Sequence, residues 1–325
     1  MNKETARTQN RISPLLMGAK ILEGAEADAV DLGPLAQLQG SWAGAAFMGW
    51  NVIAVPGPLV DGGPGGFILE VIPYKETLKF TPVVVAGNRG IYTDNQQAEQ
   101  QITGLMYEQI ITSVCDTDVC RKMGFPPETE IHAETGLLLY VKECVLSDGT
   151  ADCGDAEFSI ARLATVPHGN SVLALGTANT STPVDNNFFG VASTMPVPVN
   201  SGEQFTLAYT DPYTRVPQFE QFNQRDPNTF LQGTLGDAKI TSMTTLNMST
   251  KNQTGGILNI PFIKTDVQTM DMSATFWIQQ IEGSDTLQLQ YTQTIDLKFP
   301  GHGRNGIIPV IWPHITINTL QKVSS

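Results

Sequence analysis

The sequence predicts an all-β protein whose strands form an antiparallel up-and-down barrel, with a long insertion and a short N-terminal helical extension. Short apolar segments such as TPVVVAG and GLMYEQIITSV alternate with clusters of Asp, Asn, Gly and Pro, a rhythm typical of barrels and sandwiches. Strand periodicity is clearest in LQLQYTQTIDL, because successive strand side chains point to opposite faces. One predicted face there is apolar and the other is solvated, the two sets being Leu287, Leu289, Tyr291, Ile295 and Gln288, Gln290, Thr292, Thr294.

The same patterns suggest how the chain is divided. Residues 1–30 form an extension whose only candidate for order is a short helix at about 15–30, and residues 31–325 form a single barrel domain. The segment 180–266 is rich in Asn, Thr, Pro and Phe and is predicted to be an insertion, with a short helix near 218–226 that Pro227 would end. Three strong strand signals follow it, in SATFWIQQIE, TLQLQYTQTIDLKF and WPHITINTLQKV.

Charge restricts the partners. Nineteen basic and thirty-two acidic residues give a formal charge of −13, which repels nucleic-acid phosphates and anionic lipid headgroups. The longest apolar runs fall short of the roughly 20 residues that cross a bilayer. The opening MNKETARTQNRISPLL lacks a secretory apolar core, so we expect a cytoplasmic protein unless a leader was removed. Neither nucleic acid nor a membrane is an expected partner, and oligomeric state stays open.

The four cysteines fall into two local pairs, Cys115 with Cys120 and Cys144 with Cys153. Pairs this close in sequence could each staple a turn, whereas a reducing compartment would keep the thiols free. A metal cluster is the third alternative, although no CxxC pair is present. The sequence does not decide among free thiols, disulfides and metal.

Familiar catalytic and nucleotide motifs are missing from the sequence. The glycines of GGPGG lack the Lys-Ser/Thr ending of a phosphate-binding loop, and neither Gly-x-Ser-x-Gly nor His-Glu-x-x-His occurs. A hydrolase is therefore hard to build from these residues, and the candidates for chemistry are the four histidines.

Three of the histidines differ in context. His302 lies in a glycine-rich turn, a poor place to fix a ligand because metal sites need preorganised geometry. His168 follows Pro167 at the start of a turn and could cap that turn or line a barrel mouth. His132 and Glu134 share one strand face, so they could form an acid/base pair or a simple ion pair.

The fourth, His314, opens the last predicted strand and shares its face with Thr316 and Asn318. If that strand closes a barrel, the face points either to water or into a polar-lined cavity. A neutral imidazole that points inward beside apolar walls is what heme iron uses as its proximal ligand.

Five phrases in order resemble the nitrobindin family of heme-binding barrels, which belongs to the calycin, or fatty-acid-binding-protein-like, group. These are GSWAGAAFMGW from Gly40, PYKETLKF, IHAETGLLLYV, IARLATVPHGNSVLALGTA and the closing WPHITINTL. The resemblance covers 32 to about 178 and 270–323. The chain is also similar to longer bacterial proteins that are labelled heme-binding by inference.

The resemblance implies a ferric heme held by His314, which would bind nitric oxide or isomerise peroxynitrite to nitrate. Besides His314 and His168, the candidate cofactor-binding residues form an apolar wall of Trp42, Phe47, Met48, Trp50 and Trp312.

Two other functions stay open on the sequence. Barrels of eight to ten strands also carry apolar small molecules, so the ligand could be a fatty acid or a pigment. Alternatively, His132 and Glu134 could serve an enzyme as an acid/base pair.

Overall fold

Antiparallel strands form a closed ring in the computed structural model of the chain. The structure describes residues 20–21, 30–56, 67–84, 87–93, 96–147, 150–182, 184–185, 187–199, 207–214, 218–303 and 306–323. The strands in these ranges are β1 (Lys20–Ile21), β2 (Gly40–Pro56), β3 (Phe67–Val84), β4 (Gly87–Thr93), β5 (Gln96–Ser113), β6 (Glu130–Ser147), β7 (Thr150–Val166), β8 (Asn170–Ser181), β9 (Val197–Pro198), β10 (Ile240–Ser249), β11 (Gly256–Asn259), β12 (Gln268–Ile281), β13 (Leu287–Gly303) and β14 (Gly306–Lys322).

Helices are short in the same ranges. They are a 3₁₀ helix (Gly33–Leu38), α1 (Asp118–Met123), α2 (Leu207–Thr214), α3 (Asn228–Leu235) and α4 (Pro261–Asp266). None of the described helices is long and apolar enough to cross a membrane.

The ring follows chain order. Each of β2, β3, β5, β6, β7, β8, β10, β12, β13 and β14 pairs antiparallel with the next, and β14 returns to pair with β2. This confirms the predicted all-β, antiparallel barrel. The short strands β1, β4, β9 and β11 pair at its margins.

Side chains at alternate positions of the strands point into the ring and fill it. Inward-facing residues such as Leu78, Leu138 and Leu289 meet in one apolar cluster, which also holds Leu35 and Leu38 of the 3₁₀ helix. That helix packs at one end of the barrel, where the Trp42 indole donates a 2.7 Å hydrogen bond to the Leu38 carbonyl. His132, His168 and His314 lie toward the opposite end.

A second layer covers part of the outer surface. Leu231 and Leu235 of α3, together with Phe222, pack against outward-facing Trp50 and Ile317. The predicted solvated face of β13 is therefore wrong for much of its length, since Gln288, Gln290 and Thr292 are buried. Gln290 donates 3.0 Å hydrogen bonds to the Leu231 carbonyl and to Thr234 Oγ1, which satisfy its amide beneath α3.

The segment 180–266, which was predicted to be an insertion, contributes a strand to the barrel. It includes β10, which pairs with both β8 and β12 and is thus a strand of the ring. The helix expected near 218–226 is wrong: helix α3 begins after Pro227, where proline stabilises a helix start because the first turn needs no N–H donor.

The predicted N-terminal helix falls mainly outside the described residues. Where the structure does describe this part of the chain, Lys20–Ile21 form a strand that pairs with Val83 and Val84 of β3.

A β-bulge between Trp42 and Trp50 reverses which side chains of β2 face the barrel interior. The pairing of β2 with β3 shifts between Gly44 and Gly49, and Phe47 has a φ of 64°. A bulge of this kind reverses the faces of the residues that follow it. Trp42 consequently lies in the inner cluster, whereas Trp50 lies in the outer one.

Both cysteine pairs form disulfides, which decides among the three alternatives that the sequence left open. Cys115 is bonded to Cys120 beside α1, and Cys144 is bonded to Cys153 across β6 and β7. The first closes the loop that carries α1, and the second joins neighbouring strands of the ring.

Gly176 provides a test of barrel closure. A methyl group at this position would overlap the Asn247 carbonyl oxygen of β10, so Gly176→Ala should lower the free energy of unfolding by about 1–3 kcal/mol. Gly233 in α3 is the matched control, because no atom lies within 4 Å of an added methyl there. Gly233→Ala should raise the same free energy by about 0.5–1 kcal/mol. Equal effects of the two changes in urea titrations would contradict the described β8–β10 contact.

Candidate functional site at the histidine mouth

Three histidines that are distant in sequence lie at one end of the barrel. His132 stands near the start of β6, His168 in the turn between β7 and β8, and His314 on β14. The rings of His132 and His168 are 6.4 Å apart, and positive charge on either lowers the pKa of His314. We call this end, defined by these three residues, the histidine mouth.

His314 points inward and is partly buried. Asn318 lies four residues farther along β14, on the same strand face as His314, and donates a hydrogen bond to the buried carboxyl of Glu76. The face that carries both residues therefore points into the barrel. Burial first, and then the charges of His132 and His168, lower the pKa of His314 to about 3. The imidazole is therefore neutral at physiological pH.

Asn51 sets the orientation of the His314 ring. Its side-chain oxygen is hydrogen-bonded to Nε2 of His314 and also accepts a 3.3 Å hydrogen bond from Thr316 Oγ1. Because an amide oxygen only accepts, Nε2 carries the proton and Nδ1 keeps its lone pair. This is the arrangement in which a histidine is prepared to bind a metal ion through its other nitrogen.

His132 and Glu134 meet as expected, but Glu134 belongs to a larger network. Nε2 of His132 lies 3.4 Å from Oε2 of Glu134, while Oε1 pairs with Arg162 at 2.6 Å and accepts a hydrogen bond from Tyr107. Arg162 further donates to Tyr107 at 3.0 Å and to Gln293 at 2.7 Å. All of these except His132 are buried.

The electrostatics of Glu134 make it a poor base. Burial opposes its ionisation, but the charge of Arg162 and the hydrogen bonds from His132 and Tyr107 outweigh burial and lower its pKa to about 2. The Oε1 atom of Glu134 already accepts hydrogen bonds from Arg162 and Tyr107. Glu134 is thus a fixed anion that holds its neighbours in place.

A second interior network surrounds Glu76. Gln109 and Asn318 donate to its two oxygens at 2.7 and 2.6 Å, and the Tyr291 hydroxyl donates at 2.7 Å. Tyr74 joins the network through a 3.0 Å contact with Tyr291. Burial raises the pKa of Glu76 although these donors, which carry no charge, oppose the rise.

The space between the two networks is very small. It is a cavity of about 10 Å³ lined by Tyr107, Gln109, Arg162, Tyr291, Gln293 and four apolar side chains. A volume of that order holds about one water molecule. This cavity is therefore too small for an organic cofactor.

The predicted apolar wall does not assemble around His314. Trp42, Trp50 and Trp312 lie in three different clusters, at the far end of the barrel, under the outer layer and near the mouth, respectively. Phe47 is 44% exposed at the β2 bulge, and Met48 adjoins it. Of the five, Trp312 alone shares the strand and face of His314.

Three residues of the candidate site were not predicted from the sequence. Asn51, Arg162 and Glu76 are polar side chains on strand faces that are otherwise apolar or buried. In IARLA, Arg162 shares a strand face with Ile160 and Ala164, a pattern that indicates a charge on an inward face. For Asn51 no such signal exists, because the β2 bulge reverses the pattern.

Comparison of the chain with protein-family models, with curated proteins and with solved structures finds no match. The nitrobindin resemblance stays a prediction that rests on the five phrases quoted above.

Proposed function

We propose that this protein binds heme at the histidine mouth, where His314 would hold the iron. The observation that carries the proposal is the neutral, inward-pointing imidazole whose Nε2–H is held by Asn51. A histidine in this state offers the Nδ1 lone pair without first losing a proton.

The donor fits the group at the mouth, and the interior does not. A cavity of about 10 Å³ is far below the 300–1,000 Å³ or so of small-molecule pockets, so the interior networks leave no room for a porphyrin. Apolar side chains start close to His314: Ile295 is its partner on β13, and Leu297 packs with Trp312 and Phe299. These side chains would contact the porphyrin.

When bound, a heme with one histidine ligand supplies an open coordination position for small ligands. Nitric oxide binding and peroxynitrite isomerisation are the activities that the resemblance suggests. The residues of the chain contribute position and proton state: His314 binds, Asn51 orients His314, and Glu134 fixes His132.

The two alternatives have less support. A fatty-acid or pigment carrier needs interior volume, which the two polar networks occupy. An enzyme that uses Glu134 as a base needs a carboxylate that accepts protons near neutrality, whereas its pKa is about 2.

The cytoplasmic location stays a prediction. Two disulfides weigh in favour of an oxidising compartment, since reducing compartments keep thiols free.

Hemin titration tests the proposal. The wild-type chain should give a Soret band that saturates at about one hemin per chain, and His314→Ala should abolish saturation because the iron loses its protein ligand. Asn51→Leu should weaken binding by about 10–100-fold, as expected for loss of a group that orients a metal ligand.

His302→Ala is the matched control, because it also removes one histidine from β13–β14 and should leave the titration unchanged. Hemin binding of equal affinity in the wild type and in His314→Ala would contradict the proposal.

A further inference from the structure

The loop between β5 and β6 packs against β3. We call residues 114–129, which join these two strands and carry α1, the α1 loop. Its base is attached to β3 by a 3.0 Å hydrogen bond from the Val114 backbone N–H to the Pro73 carbonyl. The Cys115–Cys120 disulfide closes the loop within itself. The α1 loop is therefore a cross-linked unit with a fixed base.

The contact between α1 and β3 is apolar. Ile72 of β3 lies in one buried cluster with Cys115 and Cys120, and Phe125 packs against that cluster. Burial of apolar surface therefore holds the tip of the α1 loop on the strand.

A carboxyl group lies beneath this contact. Glu70 of β3 is 3% exposed, and among the described residues neither of its two oxygens has a hydrogen-bond partner. It lines a crevice too small to admit a water molecule, whose walls include Val119, Cys120, Met123 and Phe125 of the α1 loop. A carboxylate in this place would lack both hydration and a counter-charge, so the group is stable there only in its neutral form.

The surroundings of Glu70 supply no compensating charge. Burial raises the pKa of Glu70 to about 7, and no charge among the described residues offsets this rise. Strand β2, whose Ile53 pairs with Glu70, carries no charged residue, and His314 beyond it on β14 is neutral. On the other elements around the crevice, the charged and titratable side chains point to solvent or are bound elsewhere. They are Asp116, Asp118, Arg121, Lys122 and Glu128 of the α1 loop, Lys75 and Glu76 of β3, Glu130 and His132 of β6, and Glu220, Arg225 and Asp226.

We propose that the proton on Glu70 controls the docking of the α1 loop on β3. While the carboxyl is neutral, the loop stays packed over it. When the carboxyl ionises, it requires water, and the tip of the loop leaves β3 while the base stays attached.

The direction of the pH dependence follows from the pKa of Glu70 in the two states. Its value in the docked state, about 7, lies above the value of about 4.3 for a hydrated glutamate. Docking is therefore complete below the lower value and weakens as pH rises between the two. In this window the ratio of undocked to docked loop rises by up to about tenfold per pH unit.

Reduction of the Cys115–Cys120 disulfide by a phosphine reports on docking, because both cysteines are buried while the loop is docked. In the wild type the rate, followed by alkylation and peptide mass spectrometry, should rise by about tenfold or more between about pH 5 and pH 7. Each rate is divided by that of Cys144–Cys153 in the same sample, which corrects for the pH dependence of the reagent.

Three variants assign the effect to Glu70. Glu70→Gln keeps the size of the side chain but cannot ionise, so its relative rate should stay low at every pH. Glu70→Leu removes the polar group altogether and should give the same flat profile without a buried amide. Glu220→Gln is the matched control, because it neutralises an exposed carboxyl nearby in the fold and should keep the wild-type rise.

Two outcomes would overturn the inference. One is a wild-type relative rate that changes by less than about twofold over this pH range, since linkage to Glu70 requires a larger change. The other is a rise in Glu70→Leu equal to that of the wild type, which would assign the pH dependence to another group.

Discussion

Arg162→Met is expected to lower the free energy of unfolding by about 3–5 kcal/mol, the cost of breaking a buried ion pair by removing one partner. Arg162 and Glu134 are both buried and 2.6 Å apart, so the change leaves a carboxylate inside the barrel without its counter-charge. Tyr107 and Gln293 lose a hydrogen-bond donor at the same time. Methionine fills a similar volume, so the loss measures charge and hydrogen bonding more than packing.

Urea denaturation of matched variants measures this loss. Lys75→Met is the control, because Lys75 pairs with Glu128 at 2.6 Å on the surface, where such pairs contribute about 0–1 kcal/mol. The double variant Arg162→Met with Glu134→Gln should recover part of the loss, since the unpaired charge is gone. Similar losses in Arg162→Met and Lys75→Met would show that the interior pair is not desolvated.

Acid titration of stability gives a second readout of the same ion pair. The folded-state pKa of Glu134 is about 2 and its unfolded value is about 4.3, so its contribution is complete above the higher value and is lost as pH falls between the two. Glu134→Gln should remove that loss. His314 also has a lowered pKa, about 3 against about 6.5 unfolded, so its contribution is lost over the wider window between those values.

Trp50→Ala should also cost about 3–5 kcal/mol, the range for removing a buried tryptophan. The Trp50 ring is fully buried, stacks on Phe222 at 4.3 Å and makes edge contacts with Phe219 and Phe230 at 5.0 and 5.5 Å. These phenylalanines belong to the outer layer, so the change should also loosen that layer from β2. Loosening should appear as faster proteolytic cleavage between 184 and 235.

Two variants control for the size and place of the change. Trp50→Phe keeps an aromatic ring against Phe222 and should lose less, and Val191→Ala alters an exposed residue of the outer layer and should change little. Stability loss in Trp50→Ala without any increase in cleavage would mean that the outer layer is held elsewhere.

Local pattern predicted much of the fold. Strands β12, β13 and β14 follow the alternation of their sequences, and the all-β class follows from the same signal repeated along the chain. The predicted solvated face of β13 is wrong because glutamine and threonine side chains can form their hydrogen bonds beneath α3 as well as in water. Gln290 donates to the Leu231 carbonyl, and Thr292 donates to the Asn228 side chain. Strand β10 was hidden within a predicted insertion because ITSMTTLNMS is rich in threonine and alternates only weakly.

The site was predicted in part. Alternation placed His132 with Glu134, and the structure confirms their contact. The Arg162 partner was not predictable, because the pairing depends on which strands become neighbours. The residues of the proposed apolar wall lie in different clusters, in part because the shift between Gly44 and Gly49 places Trp42 and Trp50 on opposite faces of one strand.

The interior hydrogen bonds join strands from opposite walls of the barrel. Glu76 of β3 is linked to β5, β13 and β14, and Arg162 of β7 is linked to β6 and β13. Sliding any of these strands by two residues would keep its apolar side inward but would separate buried donors from their acceptors. The buried polar networks therefore specify the register of the strands. Apolar packing alone would tolerate several registers.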